Sequence, residues 1–247
     1  IFYTYMNVMS GERILAPDIL ASAGFEGGVE MSCCQTNGAR GISQAAEWAV
    51  LNDSDTVYLN YYGPCGAETV TPSGQRFTIH QETAYPSDGK ILITLFLEKP
   101  EKFSLKLRIP AWSHTTTFQI NDSDMQSAAP GTYLELNRTW QNGDVINLFL
   151  DMTPHYLTGA EECEGKTSVY RGPLLLACSW EKDKENPVAD LTFTKENLSK
   201  MEILDDPHRL LHVRVACDQA EGGAVELLSY CDAWEKGLEY ETWFSIR

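Results

Sequence analysis

From Thr56 onward, apolar and polar residues alternate with a period of two. Phe103, Leu105, Leu107 and Ile109 alternate with Ser104, Lys106 and Arg108, which is the pattern of a strand with one face buried. Pro110 ends it, because proline donates nothing to a ladder. Comparable signals predict strands over 56–62, 75–81, 90–98, 115–121, 131–137 and 144–151. Turn chemistry separates them: Pro86-Ser87-Asp88-Gly89, Asn121-Asp122 and Asn142-Gly143-Asp144. Asn142-Gly143 suits a two-residue hairpin turn in which both central residues take positive φ. Ile91 to Leu97 is apolar at nearly every position, which predicts a central strand covered on both faces. Residues 153–166 are turn-rich and charged, and read as a boundary. Strand signals resume over 167–180, 190–195, 209–217, 224–231 and 240–246, with a loop at 181–189.

The segment before Thr56 has a different rhythm. Between Arg40 and Asn52, apolar Ile42, Ala45, Ala46, Ala49 and Val50 fall at helical spacing. Residues 1–10 read as the tail of another helix, and a Gly-rich loop joins the two. Two short helices around a loop bury little surface by themselves, so this segment is expected to pack on a further element. The expected fold is mainly β. Two consecutive antiparallel β-sandwiches, residues 55–155 and a smaller 156–247, follow a helical segment, residues 1–54.

The chain has 247 residues and is 43% hydrophobic, globular composition without low complexity. Its net charge of −16 repels phosphate backbones and anionic lipid, so neither nucleic acid nor a membrane surface is an expected partner. No apolar run reaches the roughly 20 residues of a membrane helix. Residues 1–10 show no signal-peptide pattern, and the compartment is not legible. Seven cysteines do not make a fully paired disulfide framework. Cys178 and Cys217 lie in apolar runs and read as core thiols.

Few motifs carry chemistry. Gly165-Lys166-Thr167 ends like a phosphate-binding loop, but Ala160 stands where the earlier glycine is needed. His208 and His212 fall on one face of an apparent strand without a third ligand, and read as surface histidines. Cys33-Cys34 is the unusual feature: adjacent cysteines in a Gly-rich loop before a helix. The pair is open to three readings: chance, a vicinal disulfide, or thiolates for a metal.

Its neighbours add a resemblance. Cys33-Cys34-Gln35-Thr36-Asn37-Gly38-Ala39-Arg40 resembles the C-C-x-x-N-x-x-R stretch of the β-L-arabinofuranosidase-like glycoside hydrolases, family 127. Further blocks follow in the family's order. Val57 to Tyr62 resembles its first sandwich strand, and Glu82-Thr83-Ala84-Tyr85-Pro86 its E-T-x-Y-P turn. Leu107 to Trp112 is similar to L-R-I-P-x-W, Trp140 to Asp144 to W-x-x-G-D, and Arg171 to Leu174 to R-G-P-L. The similarity runs from about residue 1 to the C-terminus.

The resemblance implies that residues 1–54 are the remnant of an (α/α)6 barrel, with its cysteine loop and last helix. The two sandwiches, jelly-roll-like, would follow it, and the N-terminal barrel would be a missing partner. It implies a carbohydrate substrate and a retaining reaction in which Cys33 is the nucleophile. Cys33 and Cys34 would be zinc ligands, completed by a glutamate and a cysteine of an upstream E-x-C segment, and a separate barrel glutamate would be the acid/base. No E-x-C precedes Cys33 here, and Gln35-Thr36 stands where the family often has prolines. By this reading the chain alone is inactive. Trp112 and Trp140 are expected to pack in the sandwich, Glu82 to fix its turn and Arg171 to anchor a loop. The alternatives are a non-catalytic carbohydrate-binding module, and a structural appendage that seals the barrel with an apolar patch formed by Ile1, Phe2, Tyr3 and the face of the helix over 40–52.

Overall fold

The structure, a computed structural model, describes residues 4–6, 13–15, 40–41, 43–189, 192–216, 223–233 and 238–246, with the backbone alone in the first two segments. The chain is mainly β and divides into two units. One runs from Arg40 to Thr153; the other includes Pro154–Arg247.

Near the N-terminus, β1 (Thr4–Met6) pairs antiparallel with β2 (Arg13–Leu15). The expected helix over residues 1–10 is therefore corrected at Thr4–Met6. Threonine and tyrosine favour a pleated backbone, and so short a segment carries no reliable helical period. Residues 40–47 are helical, apart from residue 42, which lies outside the described residues. The helix stops before its expected end at Asn52. Val50–Asn52 forms strand β3 instead, pairing antiparallel with β4 (Thr56–Leu59), Val50 opposite Leu59.

The first unit is a sandwich of two sheets. The four-stranded sheet has β11 (Thr132–Trp140) beside β8 (Glu101–Ile109), then β4 and β3. The six-stranded sheet runs β10 (Gln126–Ser127), β9 (Thr117–Ile120), β12 (Val145–Phe149), β7 (Lys90–Leu97), β6 (Arg76–Thr83) and β5 (Cys65–Val70). Their inner faces share one core. Val57, Leu59, Leu105 and Leu107 from one sheet and Ile79, Ile91, Ile93, Leu95, Ile146 and Leu148 from the other are fully buried. Each such side chain removed from water contributes about 1.5–3 kcal/mol, so the period-two pattern sets both register and facing.

Trp140 is fully buried, and its Nε1 donates to the Phe103 carbonyl at 3.3 Å. Trp112 is half-buried against the same core. Both meet the sequence expectation.

Three local readings are corrected. The strand over Ile91–Leu97 is central, between β6 and β12, but Leu92 is half-buried and Phe96 exposed; only one face is covered. The Asn142-Gly143 turn is not a hairpin, because β11 and β12 lie in different sheets. Only Gly143 takes positive φ, at 83°, and Asp144 N–H donates to the Gln141 carbonyl at 3.1 Å. Asn142 Oδ1 accepts from Leu97 N–H at 3.1 Å, which ties this crossing turn to β7. Finally, β4 runs parallel to β8 in an otherwise antiparallel unit, because the chain visits the other sheet between them.

The second unit holds a branched sheet whose path is β16 (Thr192–Phe193), β21 (Phe244–Ile246), β14 (Lys166–Arg171), β15 (Leu174–Glu181), β19 (Ala224–Ser229), β18 (His212–Ala216) and β17 (Glu202–Ile203). β13 (Pro154–Thr158) adds to β14, so part of the expected boundary loop is strand; β20 (Leu238–Glu241) adds to β15. Gly172-Pro173 closes the β14–β15 hairpin, with Gly172 at φ 54°, the glycine-first turn that matches strand twist. Phe193, Val213, Val215, Leu227 and Phe244 lead its main core. A short helix α1 (Lys195–Ser199) carries a capping box: Thr194 Oγ1 accepts from Asn197 N–H, and Asn197 Oδ1 accepts from Thr194 N–H.

Two predictions follow from the first unit. A Cβ on Gly89 would sit 2.2 Å from the Leu150 carbonyl oxygen, so Gly89→Ala should destabilise by roughly 2–4 kcal/mol, measured by urea unfolding. Glu101 locks the β5–β6 turn, accepting from Thr71 Oγ1, Ser73 Oγ, Ser73 N–H and Gln75 Nε2. Its partial desolvation works to raise the carboxyl pKa, but these hydrogen bonds outweigh it and hold the group below the ordinary glutamate range. A carboxylate depressed by folding stabilises above its unfolded pKa, about 4.3, and loses that contribution as pH falls through the folded value. The urea midpoint of wild type should therefore exceed that of Glu101→Gln at pH 6, and the gap should shrink towards pH 3.

Candidate functional site at one end of the first sandwich

Cys33 and Cys34, the sequence's candidate nucleophile and metal ligands, lie outside the described residues, as does Cys217. Cys163 and Cys178 are buried, the latter as expected of a core thiol, and Cys65 and Cys231 are exposed. Among the described residues no group of three or more His, Cys, Asp or Glu is arranged to hold a metal ion. His208 sits in a turn rather than on a strand face, its N–H donating to Asp206 Oδ1 at 3.0 Å. His212 opens β18, with Nε2 3.0 Å from Glu226 and Nδ1 3.5 Å from Asp206. These contacts are ion pairs whenever the imidazole is protonated.

Three blocks singled out in the sequence converge instead. Asn60-Tyr61-Tyr62 follows β4, Tyr85-Pro86 turns between β6 and β7, and Arg108 to Trp112 ends β8. The parallel register of β4 and β8, and the pairing of Thr132 with Ile109, bring the exit of both strands and the start of β11 to one end of the four-stranded sheet. There Tyr62 Oη donates to the Arg108 carbonyl at 2.7 Å, and its ring meets Tyr85 edge-on at 6.1 Å. Tyr133, on β11, packs edge-on against Tyr58 at 5.6 Å and donates to Asn60 Oδ1 at 2.5 Å.

Asn60 is the centre of the arrangement. Its Nδ2 donates to the Trp48 carbonyl at 2.8 Å, and its backbone N–H to the Ala49 carbonyl at 2.8 Å. One residue thus joins β4, β11 and the segment that follows the helical residues 40–47. These two bonds hold Trp48 and Ala49, directly after the helical residues 40–47, against the exit of β4.

The electrostatics suit an anchor more than proton transfer. Burial, first of all, pushes the Tyr62 phenol far above its ordinary value, and the nearby Tyr85 adds to the effect. Tyr85 is raised mainly by burial as well. Both remain neutral donors through the physiological range and supply no base. Tyr58 is raised by the hydrogen bond from its Oη to Asp53, 2.9 Å long.

Two sequence expectations shift. The turn at 84–89 is fixed not by Glu82, which is exposed, but by Thr83 and Asp88. Thr83 Oγ1 donates to the Lys90 carbonyl at 2.6 Å and accepts from Tyr85 N–H, while Asp88 Oδ1 accepts from Lys90 N–H. Glu82 faces His80 at 3.7 Å. Asn60 and Tyr133 were not singled out as site residues in the sequence. The only available signal for Asn60 was its place within the block that starts at Val57.

Fold and site together define the first unit as a two-sheet β-sandwich that clasps an incoming helical segment. Residues 56–152 match the family model described as "Beta-L-arabinofuranosidase, GH127 middle domain". Over those residues the chain is similar to a middle domain of glycoside hydrolase family 127. The chain is also similar to a GH127 β-L-arabinofuranosidase from Geobacillus stearothermophilus T6, with 23% identity and a TM-score of 0.74 over 88% of this chain and 38% of that one. It is similar to the GH127 β-arabinofuranosidase BT3674, with 25% identity and a TM-score of 0.73 over 88% of this chain and 39% of that one. A third structure, titled a glycoside hydrolase, aligns at 23% identity and a TM-score of 0.71, over 88% and 40%. The chain spans about two fifths of the length of the structures it matches. No curated protein matches it.

The clasp yields a prediction. Asn60→Ala removes both side-chain hydrogen bonds, to Trp48 and from Tyr133, while keeping the backbone bond to Ala49; it should cost about 1–2 kcal/mol, with Tyr133→Phe costing about half as much. Urea unfolding measures both. Hydrogen exchange at the amides of residues 43–49 should rise more in Asn60→Ala than in Tyr133→Phe.

Proposed function

We propose that this chain is the C-terminal part of a retaining glycoside hydrolase acting on β-L-arabinofuranosides or a closely related sugar. The observation that carries the reading is the match to the GH127 middle domain over residues 56–152, joined to an upstream Cys33-Cys34 pair in a stretch similar to the family's. In this reading the catalytic cavity is shared with an N-terminal helical barrel, and the sandwich supplies a rigid footing through Asn60.

The metal implied by the family is zinc. The described residues offer no ligand cluster for it. The chemistry of the donors in the cysteine loop does suit it, since two thiolates are half of a tetrahedral sulfur-rich shell. Cys33 and Cys34 would hold it together with ligands outside this chain. Bound zinc would keep the thiols deprotonated near neutral pH.

Cys33 then acts as nucleophile. Its thiolate forms a C–S bond at the anomeric carbon as the glycosidic C–O bond breaks, and a carboxylic acid from the barrel protonates the departing oxygen. The same carboxylate deprotonates a water that displaces the sulfur, regenerating the thiolate and giving the sugar with its original anomeric configuration. This departs from the usual pair of carboxylates, where a second acid is the nucleophile. Alone, the chain lacks the acid/base and half of the metal shell, and should not turn over substrate.

The test compares the 247-residue chain with a longer gene product containing it, on an aryl β-L-arabinofuranoside. The chain alone is expected to be inactive. The longer protein should be active and lose roughly three orders of magnitude or more in kcat/KM in Cys33→Ser. Full activity in Cys33→Ser, or turnover by the chain alone that Cys33→Ser abolishes, would overturn this assignment.

A further inference from the structure

Away from the clasp, a shallow cavity of about 370 Å³ opens on the outer face of the six-stranded sheet. That volume falls in the range of small-molecule sites, roughly 300–1,000 Å³. The ladder builds it. Glu68 on β5 lies opposite Thr78 on β6, and Thr78 opposite Phe96 on β7, so the three stand in one row across adjacent strands. Arg76, Glu98 and Asn142 complete the wall.

Phe96 is 47% exposed in the middle of a sheet. It sits on the face that the sequence pattern predicted to be covered and that the structure leaves open. Its ring has His80 as a neighbour, centroids 6.4 Å apart. Around it stand groups with hydrogen-bonding capacity to spare. Among the described residues Arg76, Glu68 and Glu98 make no ion pair; the three are one cation and two carboxylates and still do not close on one another. Asn142 uses its Oδ1 on Leu97 N–H, which fixes the amide and leaves its Nδ2 donors for a ligand.

We propose that this groove is a binding subsite for a neutral saccharide, separate from the cysteine loop. The ring of Phe96 offers an apolar floor for the C–H face of a sugar. The guanidinium and amide donate to hydroxyls, and the carboxylates accept from them, so each sugar hydroxyl finds either partner. An anionic ligand is disfavoured by the two carboxylates at the groove and by the chain's net charge of −16. Arg76 offsets one of the two carboxylates, so the groove offers hydrogen-bonding groups of both kinds rather than a purely acidic lining. The subsite rests on the glycosidase reading only for the choice of sugar; its geometry does not involve Cys33. In a longer enzyme it would bind sugar without taking part in bond cleavage.

The experiment titrates the full chain with a neutral L-arabino-oligosaccharide, followed by calorimetry and by NMR shifts of the Phe96 ring. Phe96→Ala and Arg76→Ala change exposed residues, and their unfolding midpoints check that the fold is intact. Saturable binding is expected, weakened roughly tenfold or more in Phe96→Ala, weakened in Arg76→Ala, and unchanged in Cys33→Ser. Absence of binding by the wild-type chain, equal binding by folded Phe96→Ala, or loss of binding in Cys33→Ser overturns the proposal. Binding of an organic amine in place of the sugar does so too. If the groove binds while the longer protein proves inactive on arabinofuranosides, the hydrolase reading fails and the subsite stands.

Discussion

The first unit depends on one constraint: two sheets must close the same core from opposite sides. Val57, Leu59, Leu105 and Leu107 look inward from one sheet, and Ile79, Ile93, Leu95, Ile146 and Leu148 from the other. Because side chains alternate exactly along a strand, a slip of one residue would turn a whole row outward. Every other feature of the unit follows from keeping that register. Asn142-Gly143 must carry the chain between sheets, Gly89 must let β7 start against the Leu150 carbonyl, and Glu101 must hold the loop that opens β6. Trp140 plugs the core with its only polar atom satisfied by the Phe103 carbonyl, so burial of the indole leaves nothing unpaired.

The same constraint explains why the functional features sit where they do. A strand row facing the core cannot also face a ligand. The outer row Glu68–Thr78–Phe96 is free of packing duty, and the loops at the strand ends are free of the ladder. The exits of β4 and β8 lie together because the two strands are parallel neighbours. That places two hydrogen-bonded pairs, Tyr62 with Arg108 and, through β11, Tyr133 with Asn60, at the same end of the sheet. A rigid scaffold thereby offers two separate surfaces, a clasp at one end and a groove on one face.

What the sequence revealed follows the same division. Period two marked nearly every strand of the sandwich, because alternate burial is a local signal that a linear pattern records. It failed where partners decide. Val50 and Leu51 have apolar spacing compatible with a helix, but pairing of Val50 with Leu59 makes them strand. Asn142-Gly143 has hairpin chemistry, yet the strands it joins belong to different sheets. Ile91–Leu97 is apolar on both faces, and composition cannot say whether anything covers the second face; Leu92 is only half-buried and Phe96 exposed. Residues 154–158 looked like a charged linker, because Pro154, His155 and Thr158 hide a short edge pairing with β14.

The candidate site was legible in a different way. The blocks at 57–62, 82–86 and 107–112 were visible as resemblances, but their convergence depends on long-range register that no single block encodes. Asn60 and Tyr133 are 73 positions apart, and no spacing rule links them. The ties to Trp48 and Ala49 are equally non-local in the pattern, because they depend on how the exit of β4 meets the stretch before β3. The clasp spends three hydrogen bonds on Trp48, Ala49 and Tyr133, which fits a scaffold whose task includes fixing what precedes it.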